Sequence, residues 1–400
     1  MLPRLSRRDW VLTMGAGFGS ALSSGLACAA PPAPPAKAPR LGSEQEQLLA
    51  NCRGALATAA RIIDGAELVR IGEWCQQQGV TADVYGSGEL VESLEKKVAA
   101  LLGYPAACFM PTGTMAQLIL LRLHAEKSRS RAVGLHPSSH HILHEDAAFE
   151  LLDGLYGVVL SPWMRTILGN DVKQAHQKEP LAVVSVELPV RYTGQLQTWD
   201  ELESLKAACK EADIPLHVDG ARLWECAPAY GRPLAEICRG FASVYVSLYK
   251  TIGALGGAIV AGPSPLIANA RVWRHRFGGN VFGFFPYAAS AAMRIDDTLA
   301  RIPTWVTRAR KLAARLAKDP RFIVTPTPPP TNLFHIYVRG ERAALNAKRD
   351  QIARERRIWV THGFGPARVP GYCDAELQLG AQSDAVSDDE AFQSVTALVA

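Results

Sequence analysis

Two side chains in the middle of the chain have the types and spacing of a cofactor-handling pair. Asp219 lies in the run Leu216-His217-Val218-Asp219-Gly220-Ala221-Arg222, and Lys250 follows Ser243-Val244-Tyr245-Val246-Ser247-Leu248-Tyr249. Each run predicts a short apolar strand with a functional group at its carboxyl end, the edge of an open α/β sheet where ligands sit. A carboxylate and an amine about 30 residues apart on separate strand ends suit pyridoxal 5'-phosphate. The lysine would make the Schiff base, and the aspartate would keep the ring nitrogen protonated so that the ring accepts electrons. Gly253, Gly256 and Gly257 behind the lysine permit close backbone packing. Taken alone, the same two residues also suit a helix cap and a solvated surface charge.

Other stretches add to the functional reading. Cys108-Phe109-Met110 predicts a buried strand that breaks at Pro111-Thr112-Gly113-Thr114, with a helix from Met115 to Glu126. Strand, glycine-containing turn and helix amino terminus together favour a phosphate. Four histidines lie between His136 and His144, in the segment that ends at Glu145. The segment lacks the H-E-x-x-H form, which argues against a metal. It suits either a polar helix start or an imidazole that stacks on a flat ring and moves a proton. A further strand, Val183 to Glu187, ends in a carboxylate and continues into Leu188-Pro189-Val190-Arg191. Arg271, Arg274 and Arg276 in the helix after Gly262 suit a solvated face or an anion contact.

The elements that would position these residues alternate. Asp83-Val84-Tyr85-Gly86 predicts a loop before a helix from Glu89 to Leu102, which carries Leu90, Leu94, Val98 and Leu101 on one face and stops at Gly103. Arg131 to Leu135 predicts a strand, and a helix from Thr198 to Glu211 crosses over to the Asp219 strand. Such alternation predicts an α/β fold with a mostly parallel sheet and right-handed crossovers. A long helical region, Tyr287 to Lys318, leads through Pro326-Thr327-Pro328-Pro329-Pro330 to strand Asn332–Val338, helix Glu341–Arg354, strand Arg357–Val360, strand Glu376–Gly380 and helix Asp388–Leu398. This last part predicts a small C-terminal α/β domain.

Composition sets limits. The chain has 400 residues, 48% hydrophobic and 20% charged, as in soluble globular proteins. The net charge of +5 is not gathered into a basic stripe with interleaved aromatics, so nucleic acid is not expected as a partner. Eight scattered cysteines without a C-x-x-C pair argue against a zinc site or a disulfide framework.

The amino terminus reads as a targeting segment. Ser6-Arg7-Arg8-Asp9-Trp10-Val11-Leu12, a Gly/Ala-rich run to Ala27 and small residues at Ala27-Cys28-Ala29 match a twin-arginine export signal. The expectation is a periplasmic or secreted protein with no stable membrane anchor, touching the twin-arginine translocation machinery transiently. Division follows as signal 1–30, a Pro/Ala-rich linker 31–42, a large domain 43–300 that begins with a helix capped by Ser43, and a small domain 301–400.

The motifs Asp83-Val84-Tyr85-Gly86, Pro111-Thr112-Gly113-Thr114-Met115-Ala116, His140 through Glu145, His217-Val218-Asp219-Gly220-Ala221-Arg222 and Lys250 fall in an order and spacing that resembles the threonine aldolases. These belong to the aromatic amino acid β-eliminating lyase group of fold-type I pyridoxal phosphate enzymes. The similarity covers about residues 80–290 well and the C-terminal third loosely. It implies that Lys250 forms the internal Schiff base, Asp219 pairs with the pyridinium nitrogen, Gly113 and Thr114 hold the phosphate, and His140 stacks on the ring. It further implies that Arg222 and Arg274 contact the cofactor or substrate region, that Tyr85, Glu145 and Glu187 support the site, and that the protein is a homodimer or homotetramer.

Three departures stand out. The family's E-N-T-H-N is Glu187-Leu188-Pro189-Val190-Arg191 here, the family's substrate-carboxylate arginine falls at Glu376, and the N-terminal S-D-T-V motif is missing. Retro-aldol cleavage of a β-hydroxy-α-amino acid to glycine and an aldehyde is the implied activity, with His140 or a water it holds as base and Arg191 as the replacement carboxylate clamp. The departures leave room for β-elimination or racemisation on the same cofactor, or for an exported binding protein of this fold.

Overall fold

A computed structural model describes residues 43–57 and 64–400, so the segment read as an export signal and the whole of the expected linker lie outside the described residues. Helix Ser43–Ala50 leads into a two-residue strand, β1 (Gly54–Ala55). The sequence groups this helix with the large domain. The structure instead buries Leu49, Ala55 and Ala57 against Ala353 and Trp359, and pairs β1 in parallel with Ile358–Trp359.

The central sheet contains β2 (Ala106–Met110), β3 (Ala132–Leu135), β4 (Tyr156–Val159), β5 (Leu181–Glu187), β6 (Leu216–Gly220), β7 (Ser243–Ser247) and β8 (Ala258–Gly262). Their spatial order is β2-β8-β7-β6-β5-β3-β4. Strands β3 to β7 pair in parallel, and β8 runs against both β2 and β7. The middle strands are near-continuous valine runs because both faces are covered: Val183, Val184, Val186, Val218, Val244 and Val246 are at most 1% exposed. The predicted helix Glu89–Leu102 is present and ends at Gly103 with φ 75°. Its buried stripe is Val91, Leu94, Val98 and Leu102, while Leu90 and Leu101 pack at the margin. Adjacent apolar pairs at each end leave the stripe's rotation undetermined by periodicity alone. Thr198 caps helix Trp199–Glu211 through a capping box with Glu201, as its spacing requires.

The C-terminal part differs from the expected α/β unit. Strands β9 (Phe322–Thr325), β10 (Leu333–Arg339), β12 (Gly365–Pro366) and β13 (Tyr372–Gln378) form an antiparallel sheet in the order β12-β13-β10-β9, and β11 (Ile358–Trp359) joins β1. β13 begins four residues before the predicted start, because Asp374 and Glu376 interrupt its apolar pattern. Alternation explains them: Cys373, Ala375 and Leu377 face the core with Phe334, Ile336 and Val338, and the two acids share the opposite face. That face meets the site. Among the described residues no helix is long and apolar enough to cross a membrane.

Candidate active site

Parallel register places the functional groups. Glu187 at the end of β5 pairs with Asp219 on β6, and Asp219 pairs with Tyr245 on β7. Asp219 is buried, and its Oδ1 accepts from the Ala221 amide at 3.1 Å. Lys250 lies three residues beyond β7, where its amide donates to Ser247 Oγ at 3.3 Å. Burial, and then the Arg222 charge, push the Lys250 amine down to about 8 against the opposing pull of Asp219. An amine in that range is partly neutral near neutral pH and can act as a nucleophile.

Beside them stands the amino terminus of helix Gly113–Ala125, which starts two residues before the predicted Met115, with Thr112 Oγ1 accepting from the Met115 amide at 3.2 Å. Glycine is required at 113 for space: a Cβ there would lie 2.4 Å from the Tyr245 hydroxyl. A turn further on, Gln117 Oε1 pairs with His217 Nε2 at 2.7 Å, which leaves the buried Gln117 Nε2 without a partner. A cavity of about 200 Å³ is lined by Gly113, Thr114, Gln117, Asp219, Tyr249 and Lys250, with His140, Glu145 and Tyr245 completing its wall. An anion-favouring helix terminus, an orphan donor, a buried carboxylate and a depressed lysine fit a phosphorylated aromatic aldehyde.

The histidine run resolves into separate roles. His140 Nδ1 and His141 Nδ1 take one oxygen each of Glu145, at 2.9 and 3.2 Å. Burial pushes the Glu145 carboxyl up, but the charges and hydrogen bonds of His141 and His140 outweigh it and hold it at about 2. Burial opposes charge on His141 as well, and Glu145 outweighs it, so its pKa is raised. The His140 amide donates to Glu187 Oε1 at 2.9 Å, and the Arg191 amide faces Glu187 Oε2 at 3.4 Å. Thus Glu145 holds the His140 imidazole, and Glu187 holds the backbone at His140 and Arg191. His136 pairs with Ser138 Oγ at 2.7 Å.

A second cavity, about 450 Å³, shares His140, Asp219 and Lys250 and adds Glu187, Arg191 and Arg222. Two residues that sequence reasoning did not select also line it: His144 and Tyr192, hydrogen-bonded at 2.6 Å with rings stacked 5.7 Å apart. His144 lay within the histidine run, but spacing could not single it out. A larger cleft, about 1020 Å³, lined by Trp199, Lys206, Lys210 and Arg239 contains none of these groups.

Two expected site residues do something else. Arg274 donates to Phe109 O at 2.8 Å, Tyr85 O at 3.3 Å and Asn280 Oδ1 at 2.9 Å, so it clamps the end of β2 to the preceding loop. Tyr85 has φ 53°, is 52% exposed and packs edge-on to Phe282. Neither lines the two cavities. The conspicuous member of the Tyr85 motif is Asp83, whose Oδ1 accepts from the Phe284 and Phe285 amides at 2.7 Å and whose Oδ2 accepts from the Gly86 amide at 2.8 Å.

A mostly parallel sheet that presents an amine, a carboxylate and a helix amino terminus at one edge defines the fold-type I pyridoxal phosphate enzymes. The sequence pattern of the beta-eliminating lyases matches residues 66–340, and the chain belongs to that family. It is 27% identical over 272 residues to the low specificity L-threonine aldolase of Escherichia coli K12, covering 66% of this chain and 78% of that one. The probable low-specificity L-threonine aldolase 2 of Arabidopsis thaliana is 26% identical over 266 residues, 64% of this chain and 75% of the relative. A crystal structure from Listeria monocytogenes, described as that of a "putative L-allo-threonine aldolase", superposes with a TM-score of 0.81 at 30% identity, covering 89% of this chain and 98% of that one.

Proposed function

We propose that this enzyme cleaves a β-hydroxy-α-amino acid by retro-aldol chemistry to glycine and an aldehyde. The observation that supports it best is the convergence of Lys250, Asp219 and the Gly113 helix terminus on one cavity, in a chain of threonine aldolase kinship. Bound pyridoxal phosphate supplies an aldehyde and an electron-accepting ring. The protein's part follows from its geometry. The amides at Gly113 and Thr114 would bind the phosphate, and Asp219 would hold a proton on the ring nitrogen. Lys250 Nζ, partly neutral near neutral pH, is the amine that would hold the cofactor's aldehyde carbon until a substrate amine took its place. His140, with Nδ1 held by Glu145, has Nε2 free to take the β-hydroxyl proton, directly or through a water. Arg191 serves as the carboxylate clamp, since a guanidinium fork matches a carboxylate. Incubation of the purified holoenzyme with L-threonine and L-allo-threonine tests this. Acetaldehyde and glycine in equal amounts are expected, and ammonia with an oxo acid would overturn it.

The sequence Ser6-Arg7-Arg8 with its small-residue run supports export of the folded, cofactor-loaded protein. Fractionation of cells making wild type and the Arg7→Lys/Arg8→Lys variant tests it: the variant should stay in the cytoplasm. A homodimer or homotetramer is the expected working unit, supported by exposed Tyr85, Val281 and Phe282 on one edge. Light scattering on the purified protein tests that, and a monomer would refute it.

A further inference from the structure

Arg191 is held from several sides. Its amide faces Glu187, its carbonyl accepts from His335 Nε2 at 2.9 Å, and its guanidinium lies 5.3 Å from the Tyr192 ring. Its Nε donates to Glu376 Oε2 at 2.8 Å. The other oxygen of Glu376 is 3.9 Å from Arg222 Nη2, and Arg222 Nε in turn donates to Gln378 Oε1 at 3.1 Å. His335 is fixed by Asp374 Oδ1 at 2.9 Å. Glu376, Gln378, Asp374 and His335 all come from the antiparallel pair β13 and β10, more than 140 residues from Arg191 in sequence. The C-terminal sheet therefore forms a shelf under one pocket side chain.

A guanidinium has two edges that can grip a carboxylate: Nε with one terminal nitrogen, or the two terminal nitrogens together. Glu376 engages Arg191 through Nε. The opposite edge remains for a ligand, in the cavity that also contains Lys250. We propose that Glu376 is the positioning residue that orients Arg191 so that its two terminal nitrogens grip the substrate's α-carboxylate. The inference rests on the amino-acid reading of the site given above and adds the group that makes Arg191 competent. A half-buried arginine side chain without an anchor has several rotamers, and orienting it in advance removes that cost from binding. The alternative is a competitor: a built-in anion that lowers the pocket's affinity for a carboxylate. The two differ in sign.

Holoenzyme variants Glu376→Ala and Glu376→Gln separate them. Binding is read from the change in visible absorbance of the bound cofactor on titration with glycine and, separately, with 1-amino-2-propanol, an amine that lacks a carboxylate. Glu376→Ala should weaken glycine binding on the order of ten-fold or more, the scale of one charged hydrogen bond, and raise KM for L-threonine more than it lowers kcat. Glu376→Gln should recover part of the loss, because its amide oxygen can still accept from Nε. Binding of 1-amino-2-propanol should be unchanged in both variants. Equal or tighter glycine binding in Glu376→Ala would overturn the proposal, as would parallel loss of both ligands. If wild type binds glycine yet cleaves no β-hydroxy amino acid, the retro-aldol reading fails and this one still stands or falls on the titrations.

Discussion

Glu187 and Asp219 stand opposite one another on the parallel strands β5 and β6, two acids in register at the floor of one cavity. Burial, then the Asp219 charge, raise the Glu187 pKa above the usual carboxylate range. Ionised, Glu187 accepts from the backbone of both His140 and Arg191. Protonation at falling pH removes one of those acceptors. Activity should therefore decline on the acid side at a pH above that of an ordinary glutamate, and Glu187→Gln should abolish that limb while lowering kcat/KM roughly ten-fold. A pH series of kcat/KM for both proteins is the measurement, and an unchanged acid limb in the variant would count against this role.

Lys250, at about 8, gains nucleophilicity as the pH rises through that value. The rate of cofactor attachment to the apoprotein should climb with pH and level off above about 9, roughly one unit past the midpoint. Lys250→Ala should leave the Gly113 terminus and Asp219 able to bind the cofactor, but borohydride reduction should then fix no pyridoxyl group to the protein.

The contact between position 113 and Tyr245 is testable by rescue. In Gly113→Ala the new methyl would meet the Tyr245 hydroxyl, so the helix terminus or the ring must move. Cofactor affinity should fall on the order of ten-fold or more, the cost of overpacking a tight site. Adding Tyr245→Phe removes the nearest atom and should restore part of the affinity, as read by fluorescence titration of the apoprotein. No gain in the double variant would show that space at 113 is not the limiting factor.

Glu145 links stability to pH. Its folded pKa of about 2 lies below the ordinary 4.5, so its contribution is complete above about 4.5 and is lost as pH falls toward 2. The difference corresponds to about 3 kcal/mol. Wild type should lose Tm steeply over that acid range. Glu145→Gln should start from a lower Tm at pH 6 and show a shallower fall. Equal slopes would mean that the His140 and His141 contacts do not stabilise the fold.

Asp83 ties a loop to a helix amino terminus through three backbone amides. Asp83→Ala strands those donors, at a cost of about 1–3 kcal/mol for each left unsatisfied. Differential scanning calorimetry should record a lower Tm, with Tyr85→Phe as a near-neutral companion because that side chain is exposed.

Much of this was legible in sequence because it is local. Helix Glu89–Leu102 matched its predicted bounds, since an apolar repeat and a terminal glycine mark a helix regardless of what surrounds it. Lys250, Asp219, Glu187 and the turn at Gly113 could be read as strand ends because buried parallel strands are short valine-rich runs with abrupt polar ends. At Arg274 the sequence leaves a solvated face and an anion contact open, for the opposite reason. A guanidinium looks alike whether it meets a phosphate or a carbonyl, and only the fold revealed that Phe109 and Tyr85 carbonyls use it.

By itself the sequence determined the alternation of strand and helix, the groups at the strand ends and the cofactor they suit, since each depends on residues close together in the chain. Tertiary structure alone decided which histidine faces which acid, that helix Ser43–Ala50 packs on the C-terminal part, and that Glu376 meets Arg191. The last pair spans 185 positions. No periodicity links such residues; only the docking of an antiparallel sheet against the mouth of a parallel one brings their charges together, where partial burial favours the pairing.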